Sequence, residues 1–306
     1  MNFDITILGS NSASFAYGRH HTSQLVNHNQ CLYLIDCGEG TQNQLIRYKV
    51  KIQRIGHIFI SHLHGDHYLG LVGLISTMHL QGRTDELHIF APAGLDEVIT
   101  LQLRLSDTRL NYPVTFHEVN TEVAATIYEN EVLTVSTIPL NHRVKCAGFL
   151  FKEKPKKRRI VMESLHRGYT NFHLNLLKKG EDIKDENGEI VYKNADVTLP
   201  PKHSRSYAYC SDTRYDERII PLVQHADLLY HESTFMTDME QRAYETFHST
   251  AAQAAQVAKT AQVGKLMLGH YSSRYKELEP LLAEAQEVFS NTILSVEGET
   301  LSIACE

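Results

Sequence analysis

The chain has 306 residues, 42% of them hydrophobic, with a formal net charge of −6 when histidine is neutral. That length allows one large domain or two small ones, and the apolar content supports a full core, which excludes global disorder. No apolar run reaches the length of a membrane span, and the start, Met1-Asn2-Phe3-Asp4-Ile5, has no signal region.

In chain order, residues 3–8 and 31–35 read as apolar strands, with Asp36-Cys37-Gly38-Glu39-Gly40-Thr41 as the turn after the second. Residues 42–48 read as a helix. Residues 57–60 form a short buried strand that runs into Ser61-His62-Leu63-His64-Gly65-Asp66-His67, after which Leu69-Gly70-Leu71 turns toward a helix. Further strands are predicted over 87–90, 114–119, 131–138 and 148–152. The set continues over 207–210, 228–230, 265–268, 292–296 and 300–304. Helices are clearest over the Ala-rich 250–262 and over 276–289. Strands and helices interspersed in this way suit a layered α/β sandwich with helices outside two sheets.

Residues 153–205 break that rhythm: they are polar, charged and turn-rich, with Asp185-Glu186-Asn187-Gly188 as a tight turn. The stretch is either a surface excursion or an arm that touches a partner. At its start, Lys152, Lys154, Lys156, Lys157, Arg158 and Arg159 form a basic run interrupted only by Glu153 and Pro155. The acidic total argues against a nucleic-acid partner, and this local run argues the other way. The five cysteines (Cys31, Cys37, Cys146, Cys210, Cys305) form no CxxC pair, so thiolate zinc is not expected and a reducing cytoplasm is.

The excess of histidine carries the chemistry. His62, His64, Asp66 and His67 place four potential metal ligands in six positions at a strand end. His142, Asp212 and His270 each follow an apolar strand, where rigid elements hold a site in shape. A ligand count then allows two zinc ions. His62, His64 and His142 can hold one; Asp66, His67 and His270 can hold the other; Asp212, with two carboxylate oxygens, can bridge. Water bound to such metal has its pKa lowered to about 7. The target of attack is left open by this count: a phosphodiester, a lactone, a thioester or another acyl bond.

A second cluster narrows the choice. Glu232 lies in His231-Glu232-Ser233-Thr234 at the end of a strand, and His248 lies in Phe247-His248-Ser249-Thr250 at the start of the Ala-rich helix. Ser249 or Thr250 can cap that helix. If Glu232 orients His248, the pair is a carboxylate-imidazole unit that donates a proton to a leaving alkoxide. A ribose 3′-oxygen leaves poorly and gains from such an acid. Arg274, beside His270, is a candidate phosphate contact or a structural ion pair.

Taken together these motifs resemble the ribonuclease Z family of tRNA 3′-processing endonucleases, in the metallo-β-lactamase superfamily. The resemblance runs over nearly the whole chain, and HEST with FHST and Gly269-His270-Tyr271-Ser272-Ser273-Arg274-Tyr275 are its most specific parts. It implies one αββα sandwich domain over 1–306 with an arm inserted at 153–205, usually as a homodimer with two zinc ions. It implies the ligand sets given above, Asp66 as general base, and His248 with Glu232 as proton donor. The cut implied falls after the discriminator nucleotide of precursor tRNA, leaving a 3′-hydroxyl on the tRNA and a 5′-phosphate on the trailer. Family arms commonly carry a Gly-Pro-rich stretch that clasps the tRNA elbow. Here residues 168–180 lack it, and Lys156, Lys157, Arg158 and Arg159 are expected to take over part of the phosphate binding. Two other readings compete: a phosphodiesterase or arylsulfatase-like hydrolase of small molecules, and a catalytically silent RNA-binding subunit. The complete ligand set argues against the last.

Overall fold

The computed structural model describes residues 2–165 and 169–304; Met1, Gly168 and Cys305 lie outside the described residues. The chain divides into two compact units, Met1–Lys152 with Ser206–Ile303 and, separately, Glu153–Arg205.

Two seven-stranded sheets carry the larger unit. The first contains β1 (Phe3–Gly9), β2 (Ser23–His28), β3 (Cys31–Ile35), β4 (Ile55–Phe59), β5 (Leu87–Ala91), β6 (Val114–Glu118) and β18 (Thr300–Ser302). Their order is β18-β1-β2-β3-β4-β5-β6. The second contains β7 (Thr126–Glu129), β8 (Leu133–Pro139), β9 (Ala147–Glu153), β14 (Ser206–Cys210), β15 (Leu228–Glu232), β16 (Leu266–Gly269) and β17 (Thr292–Leu294). They run β17-β16-β15-β14-β9-β8-β7. The helices of this unit are α1 (Thr41–Arg47), α2 (Gly65–Tyr68), α3 (Leu71–Leu80), α4 (Leu95–Leu105), α7 (Ile220–Val223), α8 (Glu240–Thr246), α9 (Ala251–Thr260) and α10 (Glu279–Val288).

Alternation along the strands explains the layering. On β3 and β4, Leu34 and Ile58 face outward onto Leu45 of α1, Leu74 and Ile75 of α3 and Ile99 of α4. Their neighbours Tyr33, Ile35 and Phe59 face inward onto Phe149, Phe151 and Tyr207 of the second sheet. On the far side, Ala208, Leu229 and Leu268 pack under the alanines of α9 and Leu281 of α10. The result is helix, sheet, sheet, helix, the expected αββα sandwich. Aromatic contacts tie the inner faces together, as in Phe59–Phe149 at 5.5 Å and Tyr33–Phe151 at 5.8 Å between centres.

Several boundaries differ from the sequence reading for local reasons. The strand predicted from residue 131 begins at Leu133, because the Asn130 carboxamide accepts from the N–H groups of Val132 and Leu133 and makes a turn there. The helix predicted from residue 276 begins at Glu279, with Pro280 in its first turn. Strand β2 was not predicted, since Gln24 and Asn27 interrupt its apolar pattern; Gln24 is nonetheless buried and accepts from the Tyr207 hydroxyl. Helix α4 was also unread. The Ala-rich helix is capped as its sequence suggests: Thr250 Oγ1 accepts from the Gln253 N–H, and Gln253 reaches back to Thr250.

The second unit is more ordered than a turn-rich excursion. It holds two short antiparallel pairs, β10 (Arg159–Ile160) with β13 (Thr198–Leu199) and β11 (Ile183–Lys184) with β12 (Ile190–Tyr192). Helices α5 (Asn171–Lys179) and α6 (Asn194–Val197) accompany them. Leu165, Leu177, Ile183 and Val197 form its own small core. Asp185 makes the 185–188 turn by accepting from the N–H groups of Asn187 and Glu189, with Gly188 at φ 86°. The buried Arg205 donates to both carboxylate oxygens of Glu153, at 2.7 and 3.2 Å.

One inward-facing polar residue gives the fold a pH dependence. His57 of β4 stacks on His88 at 5.2 Å and packs against Tyr128 at 4.5 Å. Burial first, then its neighbours His88, His117 and Arg83, lower its pKa to about 4. The unfolded chain then binds a proton that the folded chain refuses, so this contribution is full above about pH 6.5 and is lost as pH falls toward 4. Urea unfolding at pH 7 and pH 5 should show a stability loss smaller by about 1–2 kcal/mol in His57→Phe than in the wild type.

Candidate metal centre and active site

The candidate site residues gather at the ends of strands from both sheets. His62 to His67 follow β4, His142 follows β8, Asp212 follows β14, Glu232 closes β15 and His270 follows β16. Because β14, β15 and β16 run parallel, their carboxyl ends deliver Asp212, Glu232 and His270 to one edge. His270 and Asp36 hold left-handed backbone, at φ 58° and 53°. For non-glycine residues this is strained geometry that surrounding contacts must maintain.

The donor atoms fall into three overlapping groups: His62, His64, His142 and Asp212; Asp66, His67 and His270; and Asp212, His248 and His270. In the first, His64 Nδ1 lies 3.0 Å from His62 Nε2 and 3.1 Å from His142 Nε2. Asp212 Oδ2 lies 3.6 Å from His62 Nε2 and 3.8 Å from His142 Nε2. In the second, Asp66 Oδ2 lies 3.5 Å from His67 Nε2 and 3.6 Å from His270 Nε2. Asp212 Oδ1 faces the same two nitrogens at 3.3 and 3.1 Å. The two oxygens of Asp212 thus face different groups.

The carboxylate–imidazole separations of 3.1–3.8 Å are compatible with ligands around a shared metal, while the contacts of His64 Nδ1 at 3.0 and 3.1 Å are also hydrogen-bond distances. Tetrahedral zinc with bonds of about 2.0–2.1 Å spaces its ligands about 3.3–3.4 Å apart. Buried His67 Nε2 and His270 Nε2 lie near carboxylate oxygens yet make no aligned hydrogen bond. An orphaned buried ring nitrogen is costly unless something else takes its lone pair.

Charge in the cluster is consistent with that. Burial keeps His62, His64 and His142 below the ordinary imidazole pKa, hence neutral and able to ligate. Burial would lower His67 as well, but Asp212, Asp66 and Asp36 hold it well above its usual value. Burial raises Asp212 and Asp66, and the surrounding histidines outweigh that and hold both carboxyls below the usual range. Three carboxylates converging on one imidazole make a strongly cation-favouring point.

Each nitrogen facing away from the centre is held. His67 Nδ1 donates to Asp36 Oδ2 at 2.8 Å, and His142 Nδ1 to the Phe247 carbonyl at 3.0 Å. His270 Nδ1 lies 2.9 Å from Thr234 Oγ1 and His62 Nδ1 3.0 Å from Ser61 Oγ. Such partners fix ring orientation and the tautomer available for ligation. Beside the cluster, His248 Nδ1 donates to Glu232 Oε1 at 2.8 Å. Glu232 is fully buried and also accepts from Thr213 N and Thr234 Oγ1. Burial would lower His248, but the adjoining Glu232 carboxylate raises it to about 9.

A cleft of about 1080 Å³ opens over these groups, with Ser12, Ser14, Arg143, Arg242, Ser272 and Arg274 among its lining. Arg274 is exposed there, and its guanidinium has no hydrogen-bond partner among the described residues. The four basic residues predicted to bind substrate belong to the second unit. Lys157 and Arg159 are exposed, whereas Lys156 pairs with Glu153 at 2.6 Å and Arg158 Nε donates to Thr198 Oγ1 at 2.8 Å.

The chain is 47% identical over 304 residues to a ribonuclease Z from Cytophaga hutchinsonii, covering 99% of this chain and 97% of that protein. It is 46% identical to a ribonuclease Z from Bacteroides fragilis, covering 98% and 99%. The chain belongs to the ribonuclease Z family. Family models described as Anti-Pycsar protein Apyc1 and as beta-lactamase superfamily domain match residues 3–179 and 181–271. Among solved structures, the short form of human tRNase Z superimposes with a TM-score of 0.71 at 26% identity, covering 98% of this chain and 99% of that one.

For this ribonuclease Z family member, sequence reasoning assigned no role to Asp36, Tyr209, Thr234 or Arg143. Asp36 accepts from Ser61 N at 2.7 Å, Ser61 Oγ at 2.9 Å, His67 Nδ1 and the Tyr209 hydroxyl at 2.6 Å. The signal available was a lone Asp closing an apolar strand just before a Cys-Gly turn. The partners come from distant segments and leave no local mark. Tyr209→Phe, which removes one donor to this buried carboxylate, should cost about 1–3 kcal/mol in urea unfolding, with the mutated ring still packed on Tyr230.

Proposed function

We propose that this chain is a zinc-dependent endoribonuclease that removes the 3′ trailer from precursor tRNA. The cut falls after the discriminator nucleotide. The observation that carries the reading is the Glu232–His248 pair beside a two-sided donor cluster, in a chain of the ribonuclease Z family.

His62, His64 and His142 would hold one zinc ion, and Asp66, His67 and His270 the other, with Asp212 as a ligand shared by both; the spacing of these donor atoms supports that reading. Bound there, zinc supplies Lewis acidity that makes water more acidic and offsets negative charge on phosphoryl oxygens. Asp66 takes the proton of the attacking water. As the bond from phosphorus to the ribose 3′-oxygen breaks, His248 gives that oxygen a proton from the ring nitrogen that Glu232 leaves free. The tRNA keeps a 3′-hydroxyl and the trailer a 5′-phosphate. Arg274, unpaired on the cleft wall, is placed to meet a backbone phosphate.

The second unit serves as an arm inserted into a single catalytic domain. Residues 153–205 carry twelve Lys and Arg against eight Asp and Glu, while the remainder carries eighteen against twenty-eight. Basic charge is thus concentrated where a polyanion would be held, although the chain is acidic overall. Lys157 and Arg159 are the outward contacts, and Lys156 and Arg158 help to shape the arm. The family resemblance supports a homodimer, and the cysteine usage supports a cytoplasmic location. No helix among the described residues is long and apolar enough to cross a membrane.

Two measurements test this reading. His248→Ala should lower the single-turnover rate of precursor cleavage by about 10²–10⁴-fold and leave zinc content by atomic absorption unchanged. Lys157→Ala with Arg159→Ala should reduce the slope of log affinity for tRNA against log salt by about 2, roughly one per phosphate contact. Wild-type cleavage by the first variant, or an unchanged salt slope in the second, contradicts the corresponding role.

A further inference from the structure

Arg214 lies two residues beyond Asp212 and belongs to none of the donor groups. Its guanidinium carbon sits 3.5 Å from the centre of the Phe247 ring and 4.0 Å from that of Tyr244, so two aromatic rings bracket one cation. Nε donates to the Tyr244 carbonyl at 2.6 Å, and the Arg214 backbone N–H donates to the Asn141 carbonyl at 3.0 Å. Arg214 is thereby fastened at its main chain to the residue before His142. Its side chain is fastened to the segment before His248.

Phe247 is the link between them. It caps α8 in left-handed backbone at φ 62°, which a bulky aromatic residue rarely adopts without outside support. In that conformation its carbonyl accepts from His142 Nδ1 at 3.0 Å. An imidazole that donates from Nδ1 presents Nε2 as its lone pair. His248 follows directly, with its N–H on the Ala243 carbonyl at 2.8 Å and its Nδ1 on Glu232. Ring faces are electron-rich, so a planar cation between two of them holds the segment more firmly than a hydrocarbon chain can.

We propose that Arg214 is a positioning residue: through the Tyr244–Phe247 bracket it keeps the Phe247 carbonyl on His142 and sets His248 beside it. The inference rests on the reading of His142 as a metal ligand and His248 as the proton donor. Arg214 touches no reacting atom and acts only through its neighbours. Lysine at this position keeps the charge and loses the flat stacking surface; methionine loses both.

The test uses Arg214→Met, Arg214→Lys and Tyr244→Ala in the full chain, with His142→Ala as reference. Zinc retention against a chelator, kcat and KM for precursor tRNA, and the urea midpoint are measured for each. Arg214→Met and Tyr244→Ala should weaken retention of one zinc ion by roughly ten- to a hundredfold, with kcat falling over the same range. KM should stay within about twofold, and Arg214→Lys should recover only part of the loss. A purely structural role lowers the urea midpoint and leaves zinc retention and kcat of the folded protein intact, which overturns the proposal. If Arg214→Met does not fold, Tyr244→Ala decides, since it opens the bracket from the other side. A defective His142→Ala beside wild-type bracket variants removes this inference alone. Wild-type zinc retention and cleavage in His142→Ala removes the ligand assignment on which it stands.

Discussion

Asp212 is almost fully buried, and each of its oxygens faces a different set of ring nitrogens. An ionised carboxylate in that position is sustainable only if positive charge is brought to it, and the chain brings five imidazoles together with a second carboxylate, Asp66. Imidazoles alone do not resolve the problem, because most of them are driven neutral by the same burial. Metal cations on both sides of Asp212 would supply the charge that the imidazoles do not. Much of the surrounding architecture follows from keeping Asp212 there: parallel β14, β15 and β16 ending at one edge, and left-handed backbone at Asp36 and His270.

An outer set of contacts holds the inner one. Asp36 orients His67, Thr234 meets both Glu232 and His270, and the Phe247 carbonyl fixes His142. The Glu232–His248 pair shares this framework, since Glu232 accepts from Thr213, the residue directly after Asp212. The donor cluster and the Glu232–His248 pair are therefore coupled through short covalent and hydrogen-bonded paths. A shift in either displaces the other, which suits a reaction needing attack and leaving-group protonation at one phosphorus.

Legibility in the sequence followed the range of the physical signal. Candidate ligands ending apolar strands were readable because a hydrophobic run and a polar terminus are adjacent in the chain, as at His62, Asp212 and His270. The αββα layering was readable from interspersed strands and helices. Strand β2 was not, because the partner of Gln24 is Tyr207, on the other sheet. Asp36 and Arg214 acquire their roles from contacts across the fold, with Tyr209 and with Phe247, that no local pattern encodes. The 153–205 segment looked irregular because its core is only a handful of residues and its strands are two or three residues long. Periodicity needs longer elements to register.

The central claim is that a two-metal centre with a dedicated acid cuts precursor tRNA at one bond. Zinc-loaded protein should be given a 3′-extended precursor tRNA, with Asp66→Ala in parallel and bis-p-nitrophenyl phosphate as a small ester. The account predicts a single cut after the discriminator nucleotide, leaving a 3′-hydroxyl, and its loss in the variant. Hydrolysis of the small ester with no cleavage of the precursor would contradict it, and would mean that the centre works on a different substrate.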